Sequence, residues 1–503
     1  MIDALLQAAA HLFTAQALAY LALGTAIGLT FGAVPGLGGT TALALLIPLT
    51  FGMDETAAII LVGGIMGAVP FGGSVSAILL NTPGVAPNAA TCFDGYPLAR
   101  QGKAGMAIGA AAAASSLGGL IGVLAMILVI PLAKRIVLLF GPPEFFMLAV
   151  LGLSAIAVST GGKLLRGLIS GGLGLILAFI GYDDISGGLR YTAGIEYLWD
   201  GVQLVPALIG LFAIAEMIHL SISGGTVART DKAVTVSHVF DGVKAVFANL
   251  GTLLRGSAIG TFIGAVPGVG GTVASFLSYT LAQQISKDPE SFGKGNIQGV
   301  IAPEAANNAK DGGSLLPTLA FGIPGSAEMA VFLGVLILHG LEPGPTLLLE
   351  HEDVIFGLVL ALSLSCVLAS AIGLLVAGQL ARLTRTDVHY LVPVVIAVAL
   401  VGAYALRSSL GDVLEALAFG VIGYLMVRFD YPRVTMIIAL VLGGIAERGY
   451  HQSLMMSDGS FGIFFTRPVS NVLLALIVIS VALPGLRLLT RTMRKRQMEE
   501  GSR

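Results

Sequence analysis

The sequence predicts an all-α polytopic membrane protein, with about 12 transmembrane helices in two repeats of inverted topology and broken helices or re-entrant hairpins in each. Composition is the first observation behind this. Of 503 residues, 55% are hydrophobic and 11% charged, against about 25% charged in soluble domains. One soluble core cannot hide so much apolar surface. The 68 glycines suit the close backbone contacts by which helices pack in lipid. The second observation is a duplication. Gly24-Thr-Ala-Ile-Gly-Leu-Thr-Phe-Gly-Ala-Val-Pro-Gly-Leu-Gly-Gly-Thr40 returns as Gly256-Ser-Ala-Ile-Gly-Thr-Phe-Ile-Gly-Ala-Val-Pro-Gly-Val-Gly-Gly-Thr272, 232 residues later, with 12 of 17 positions identical. The third is the form of that motif: an apolar helix stopped by Pro-Gly-x-Gly-Gly and then restarted. A broken helix in each half of a membrane protein points to a transporter's substrate site.

Apolar runs predict spans near 15–34, 56–70, 105–132, 137–160, 164–181 and 202–220 in a first repeat, 1–220. A second repeat, 251–503, has runs near 251–266, 326–340, 354–380, 388–406, 412–428, 433–447 and 470–490. Their continuity argues against a β-barrel, whose strands alternate over about ten residues. Four shorter pieces, 40–52, 73–82, 271–285 and 312–323, are too short to span and read as half-helices. Between the repeats, 221–250 is a polar linker with a short amphipathic helix. It carries Arg229, Lys232 and Lys244, and the C-terminus carries Arg491, Arg494, Lys495 and Arg496. Positive segments stay cytoplasmic, so both are expected inside and the N-terminus, which has no Lys or Arg before Arg100, outside. Termini on opposite sides ask for an odd span count, which twelve does not satisfy. No basic region precedes the first apolar run, so a cleaved signal peptide is not expected.

The helix breaks carry the expected chemistry. Pro35 and Pro267 cannot donate a backbone hydrogen bond. Gly36, Gly38 and Gly39, with Gly268, Gly270 and Gly271, permit positive φ and close approach of a ligand. Thr40 and Thr272 are expected to cap the restarted helices, whose free N–H groups favour an anion. The bland alternative is a glycine kink for helix packing, which the duplication makes less attractive. A second pair of elements also repeats. Gly72-Gly73-Ser74 precedes Asn81-Thr82-Pro83-Gly84, and Gly312-Gly313-Ser314 precedes Gly322-Ile323-Pro324-Gly325-Ser326, offset by about 240 residues. Asn81, Thr82, Gly84, Gly325 and Ser326 are expected to complete a carboxylate site; turns between helices are the alternative.

In Ala302-Pro-Glu-Ala-Ala-Asn-Asn-Ala-Lys-Asp-Gly-Gly-Ser314, helical spacing puts Glu304, Asn307, Asn308 and Asp311 on one face. These hard oxygen ligands suit Na⁺, or a carboxylate carries H⁺, so they are the expected ion-coupling residues. Lys310 neutralises a carboxylate or meets an anionic substrate. The alternative is a solvated loop. Asp94 and Arg100 are expected in a surface loop. No phosphate-binding Gly-x-x-x-x-Gly-Lys-[Ser/Thr] motif or zinc His-Glu-x-x-His motif occurs, so ATP hydrolysis by that loop and that metal chemistry are not expected. No basic, aromatic-interleaved patch suggests nucleic acid, and two distant cysteines form no framework.

On Gly32-Ala-Val-Pro-Gly-Leu-Gly-Gly-Thr40, Phe71-Gly-Gly-Ser74, Asn81-Thr-Pro-Gly84, Asp94-Gly-Tyr-Pro97, Ala302-Pro-Glu-Ala-Ala-Asn-Asn-Ala309 and Phe321-Gly-Ile-Pro-Gly-Ser326, the chain resembles the TctA family, the large membrane subunit of tripartite tricarboxylate transporters. The resemblance spans nearly the whole chain. It implies a non-enzymatic inner-membrane permease of bacteria, with a small TctB-like membrane subunit of about four spans and a TctC-like periplasmic binding protein as partners. It implies uptake of citrate-like tricarboxylates, dicarboxylates or aromatic acids on an ion gradient, Na⁺ or H⁺, with no cofactor. An intramembrane enzyme using Glu304 and Asp311 as acid and base, or an anion channel, are the rival classes.

Overall fold

A computed structural model describes residues 2–159, 164–183, 185, 187–223, 238–383 and 388–480. Among them, structure is helical apart from one two-stranded antiparallel hairpin, Gly181–Tyr182 with Leu189–Arg190. Part of the expected central linker and the whole basic C-terminal cluster lie outside the described residues. The helix Val239–Ala248 follows the former.

Six helices are long and apolar enough to cross a membrane: Ala15–Ala33, Glu55–Leu80, Ala104–Val137, Leu204–Ile222, Glu352–Ala381 and Leu410–Arg428. Val239–Ala248 with Leu250–Gly264, bent by 80°, makes a seventh. Expected spans near 137–160, 164–181, 326–340 and 388–406 fall on shorter apolar helices, Pro142–Ser154, Leu164–Ala178, Ala327–Leu338 and Leu391–Arg407. Length and composition therefore support six to seven spans among the described residues, in a multi-pass membrane protein.

The chain forms two compact units. Met1–Lys134 with Gln203–Phe429 contains all the expected substrate and ion-coupling residues, from both repeats. Its helices pack through glycine. An added Cβ at Gly24, Gly28 or Gly32 would lie 2.2, 2.5 or 2.3 Å from the carbonyl oxygens of Leu61, Ile65 and Val69. Gly256, Gly260 and Gly264 meet Ala302, Ala306 and Lys310 at 2.6, 2.3 and 2.2 Å. One motif thus makes the same helix contact twice, with the partner helices 241 residues apart. Backbones this close exclude any side chain, and contact of this kind drives helix association in lipid.

That register corrects the sequence alignment. Gly72 against Leu29 O recurs as Gly313 against Thr261 O, and Gly84 against Gly32 O recurs as Gly325 against Gly264 O. The Gly-Gly-Ser triplets are therefore displaced by one residue. The pieces 73–82 and 312–323 are also not separate half-helices. They are the ends of continuous helices, Glu55–Leu80 and Gln298–Phe321, which stop at left-handed Asn81 (φ 55°) and Gly322 (φ 68°).

The second unit, Arg135–Val202 with Asp430–Arg503, is built on Arg433–Met456 packed along Pro142–Ser159 and Leu164–Ala178. Buried Glu144 accepts from Arg467 Nε at 2.5 Å, Ser470 Oγ at 2.9 Å and Gly141 N at 2.9 Å. Arg190 holds Glu447 with two bonds of 2.5 and 3.1 Å.

Candidate functional site

The two Pro-Gly-x-Gly-Gly motifs break their helices as expected. Ala15–Ala33 gives way to Gly38–Thr50, and Leu250–Gly264 to Gly270–Ile285. Four glycines carry the turns with positive φ: Gly36 (89°) and Gly38 (57°), matched by Gly268 (75°) and Gly270 (73°). Other residues reach this region only with strain of about 1–2 kcal/mol. In the second copy the chain doubles back, because Gly256 lies beside Ser278, whose hydroxyl donates to Ala302 O at 2.8 Å.

Thr40 and Thr272 are not the caps. Leu37 and Val269 hold the cap positions, and no side chain caps either helix. The threonines sit within the first helical turn, and the preceding turn of Leu or Val supplies no acceptor for its N–H groups. Both helices thus begin with uncapped, partly positive ends.

These two beginnings meet one charged cluster. Lys310 Nζ lies 2.5 Å from Asp311 Oδ1 and 3.0 Å from Glu328 Oε2. The stem of Lys310 covers Gly271, where an added Cβ would lie 2.4 Å from Lys310 Cδ and 3.1 Å from Pro87 Cγ. Glu328 covers Gly39, where an added Cβ would lie 2.6 Å from Glu328 Oε1 and 3.1 Å from Val69 Cγ1. In the 232- and 241-residue registers, Gly39 matches Gly271, Val69 matches Lys310, and Pro87 matches Glu328. Each restarted helix therefore abuts the equivalent pair of positions, one from each half. An added Cβ at Gly270 meets nothing within 4 Å, so the space beside the cluster opens there.

Other expected site residues are placed differently. An added Cβ at Gly84 would fall on Gly32 O, and one at Gly325 would lie 2.6 Å from Gly264 O, so both glycines serve helix packing. Asn81 is exposed. Thr82 Oγ1 donates to Leu80 O at 3.2 Å. Ser326 Oγ caps Ala327–Leu338 by accepting from Met329 N at 3.3 Å, two residues ahead of Glu328.

The segment 302–314 is buried helix, within Gln298–Phe321, and not a solvated loop. Glu304 is fully buried and held entirely by the first half. Ser74 and Thr91 hydroxyls donate to it at 2.5 Å each, the Ser115 hydroxyl at 3.0 Å and the Asn88 amide at 3.1 Å. Four donors complete the shell of one carboxylate. Asn307 and Asn308 are 1% exposed. Both side-chain polar atoms of Asn307, and Oδ1 of Asn308, have no hydrogen-bond partner among the described residues. The Asn308 amide donates to Cys366 Sγ at 3.5 Å. Buried amides left unpaired are costly. Asn307 stands three and four residues from Lys310 and Asp311, on the same helical surface. No group of three His, Cys, Asp or Glu placed to hold a metal ion occurs among the described residues.

Two features escaped the sequence. Glu328 opens the helix behind the Phe-Gly-Ile-Pro-Gly-Ser motif, and that position is its one signal in the sequence. Asp94, expected in a surface loop, is fully buried in Ala89–Arg100. It accepts from Tyr279 Oη at 2.9 Å and from the N–H groups of Gly295 and Asn296 at 2.8 Å each. Tertiary acceptors of this kind leave no periodic mark. Arg100 is exposed, but it ends the helix Ala89–Arg100 and does not lie in a loop.

Interrupted helices meeting at a buried charge cluster, within a multi-pass membrane protein, are features expected of a membrane transporter. The chain belongs to the tripartite tricarboxylate transporter TctA family, whose model matches residues 18–438. It is 32% identical over 471 residues, 92% of this chain and 93% of the relative, to an uncharacterized 52.8 kDa protein in the TAR-I ttuC' 3' region of Agrobacterium vitis. A second protein of that organism, in its TAR-II ttuC' 3' region, is 31% identical over 231 residues, 45% of this chain and 96% of the relative. No solved structure matches.

Proposed function

We propose that the chain is the large permease subunit of a binding-protein-dependent secondary transporter, importing citrate-like tricarboxylates or related dicarboxylates and aromatic acids across the bacterial inner membrane. Its partners are a small TctB-like membrane subunit and a TctC-like periplasmic protein, and a Na⁺ or H⁺ gradient drives it. The architecture is two inverted repeats of about 12 spans, the short apolar helices completing the count.

The observation that carries this reading is the meeting of two uncapped helix starts, Gly38–Thr50 and Gly270–Ile285, at Lys310, Asp311 and Glu328. Gly36, Gly38, Gly39 and Thr40 with Gly268, Gly270, Gly271 and Thr272 line the carboxylate site. Asn81, Thr82, Gly84, Gly325 and Ser326 shape its frame. Asp311, Asn307 and the Oδ1 of Asn308 offer oxygen ligands to the coupling ion. Glu304, satisfied by four donors, ties that helix to the first half. A dipole-lined site attracts an anion without leaving a naked charge when empty.

The test is uptake of radiolabelled citrate, succinate and benzoate by vesicles holding this chain, its small partner and the periplasmic protein. Uphill accumulation that collapses with an ionophore, and that falls away without the periplasmic component, is the expected result. Downhill equilibration alone indicates a channel, and chemical conversion of the ligand an enzyme.

A further inference from the structure

The two carboxylates on Lys310 are not equivalent. Asp311 is its neighbour in the same helix, and its side chain is 3% exposed. Glu328 arrives from the next helix, Ala327–Leu338, and its side chain is 19% exposed. Oε2 of Glu328 takes the Lys310 ammonium at 3.0 Å, while Oε1 faces Gly39, in the first turn of an uncapped helix. In the first half the matching position is Pro87, which bears no charge and only packs on Gly271.

A carboxylate bound to a buried ammonium through one oxygen, with its other oxygen at the free N–H end of a helix, is the arrangement a substrate carboxylate would adopt here. We propose that Glu328 is an intrinsic stand-in for substrate. A substrate carboxylate takes Lys310 as the Glu328 side chain swings out, and the return of Glu328 expels it. The inference rests on the carboxylate-carrier reading. The exchange breaks one Lys310–carboxylate ion pair and forms another, with no proton or electron transferred. Asp311 stays bonded throughout, so the buried ammonium is never left unpaired, a state that is strongly unfavourable. The better-exposed position of Glu328 makes it the partner that can leave.

A displaceable stand-in competes with substrate on entry and speeds its release. Glu328→Gln keeps the shape and removes the competing charge. In vesicles holding all three components, with citrate, succinate and benzoate as probes, Glu328→Gln is expected to lower KM at least fivefold and turnover at least fivefold. Glu328→Asp, which keeps the charge, is expected to restore turnover in part. Lys310→Gln is expected to abolish saturable uptake. Thermal unfolding of each purified variant separates misfolding from mechanism. If Glu328→Gln does not fold, Glu328→Asp still decides, because a carboxylate held one methylene farther from Lys310 competes less and must lower KM. An unchanged or raised KM in whichever of these variants folds overturns the stand-in while leaving the carrier intact. Wild-type vesicles that take up none of the probes overturn the carrier reading, and the stand-in with it.

Discussion

The two halves of the site share a backbone but not a chemistry. Gly39 and Gly271 stand in matching places at the start of restarted helices, and each touches the same two positions of the 241-residue register. In the first half those positions are Val69 and Pro87; in the second they are Lys310 and Glu328. The helix carrying Lys310 also bears Glu304, Asn307, Asn308 and Asp311, where the first half has Gly63, Met66, Gly67 and Pro70. Duplication therefore supplies two helix ends and a turn that tolerates a close ligand, while divergence supplies one set of charges.

The largest expected effect is on the tie between halves. Glu304→Ala strips the acceptor from Ser74, Thr91, Ser115 and Asn88 in a fully buried place, at about 1–3 kcal/mol for each buried donor left unpaired. We expect a large fall in the unfolding midpoint, read by size-exclusion thermostability. Gly63→Ala, at the matching place, bears no such tie. Its Cβ would meet Ala361 Cβ at 3.0 Å, a packing strain of about 1–3 kcal/mol. Equal midpoints for the two variants would remove the asymmetry from the structural account.

Next come the helix starts. Gly271→Ala drives a methyl into the Lys310 stem at 2.4 Å, a side chain packed on all sides, and is expected to cut uptake at least tenfold. Gly39→Ala meets the tip of the more exposed Glu328 at 2.6 Å and Val69 at 3.1 Å, which yield more easily. Uptake is expected to fall only a few-fold. The reverse order, measured as initial rates at matched expression, would place the chemistry in the first half.

Gly270→Ala isolates backbone strain, since φ is 73° and the Cβ meets nothing within 4 Å. About 1–2 kcal/mol of destabilisation is expected, with uptake retained in part; Gly270→Val adds bulk in the open space and is expected to abolish it. The smallest effect is Thr272→Val. Because Val269 and not Thr272 holds the cap position, stability should move by less than about 0.5 kcal/mol. A loss near 1 kcal/mol in calorimetry, the usual worth of a lost cap, would restore the threonine as a cap.

Much of this comparison is legible in the sequence for a physical reason. Proline and glycine act locally, so Val34-Pro35-Gly36 and Val266-Pro267-Gly268 announce their breaks without tertiary context. The Gly24/Gly28/Gly32 and Gly256/Gly260/Gly264 spacing likewise announces close helix packing. Long-range pairings leave no such trace. Nothing near Asp94 names Tyr279, and nothing near Glu304 names Ser115. Glu328 looks like an ordinary acidic residue in a first helical turn. The one-residue slip in the Gly-Gly-Ser alignment has the same origin, because both registers place glycine at a contact and only the backbone approach chooses between them.

The central claim is that the two helix restarts line one carboxylate site, and paired thiol protection tests it most directly. Thr40→Cys and Thr272→Cys, matching half-exposed positions in the two halves, are introduced singly with Cys92 and Cys366 replaced by serine. Labelling by a small methanethiosulfonate reagent is then timed in vesicles with and without transported carboxylate. Slowing of both positions at the same half-saturating concentration is the predicted result. Protection of one position alone, or of neither while uptake is intact, would contradict a shared site.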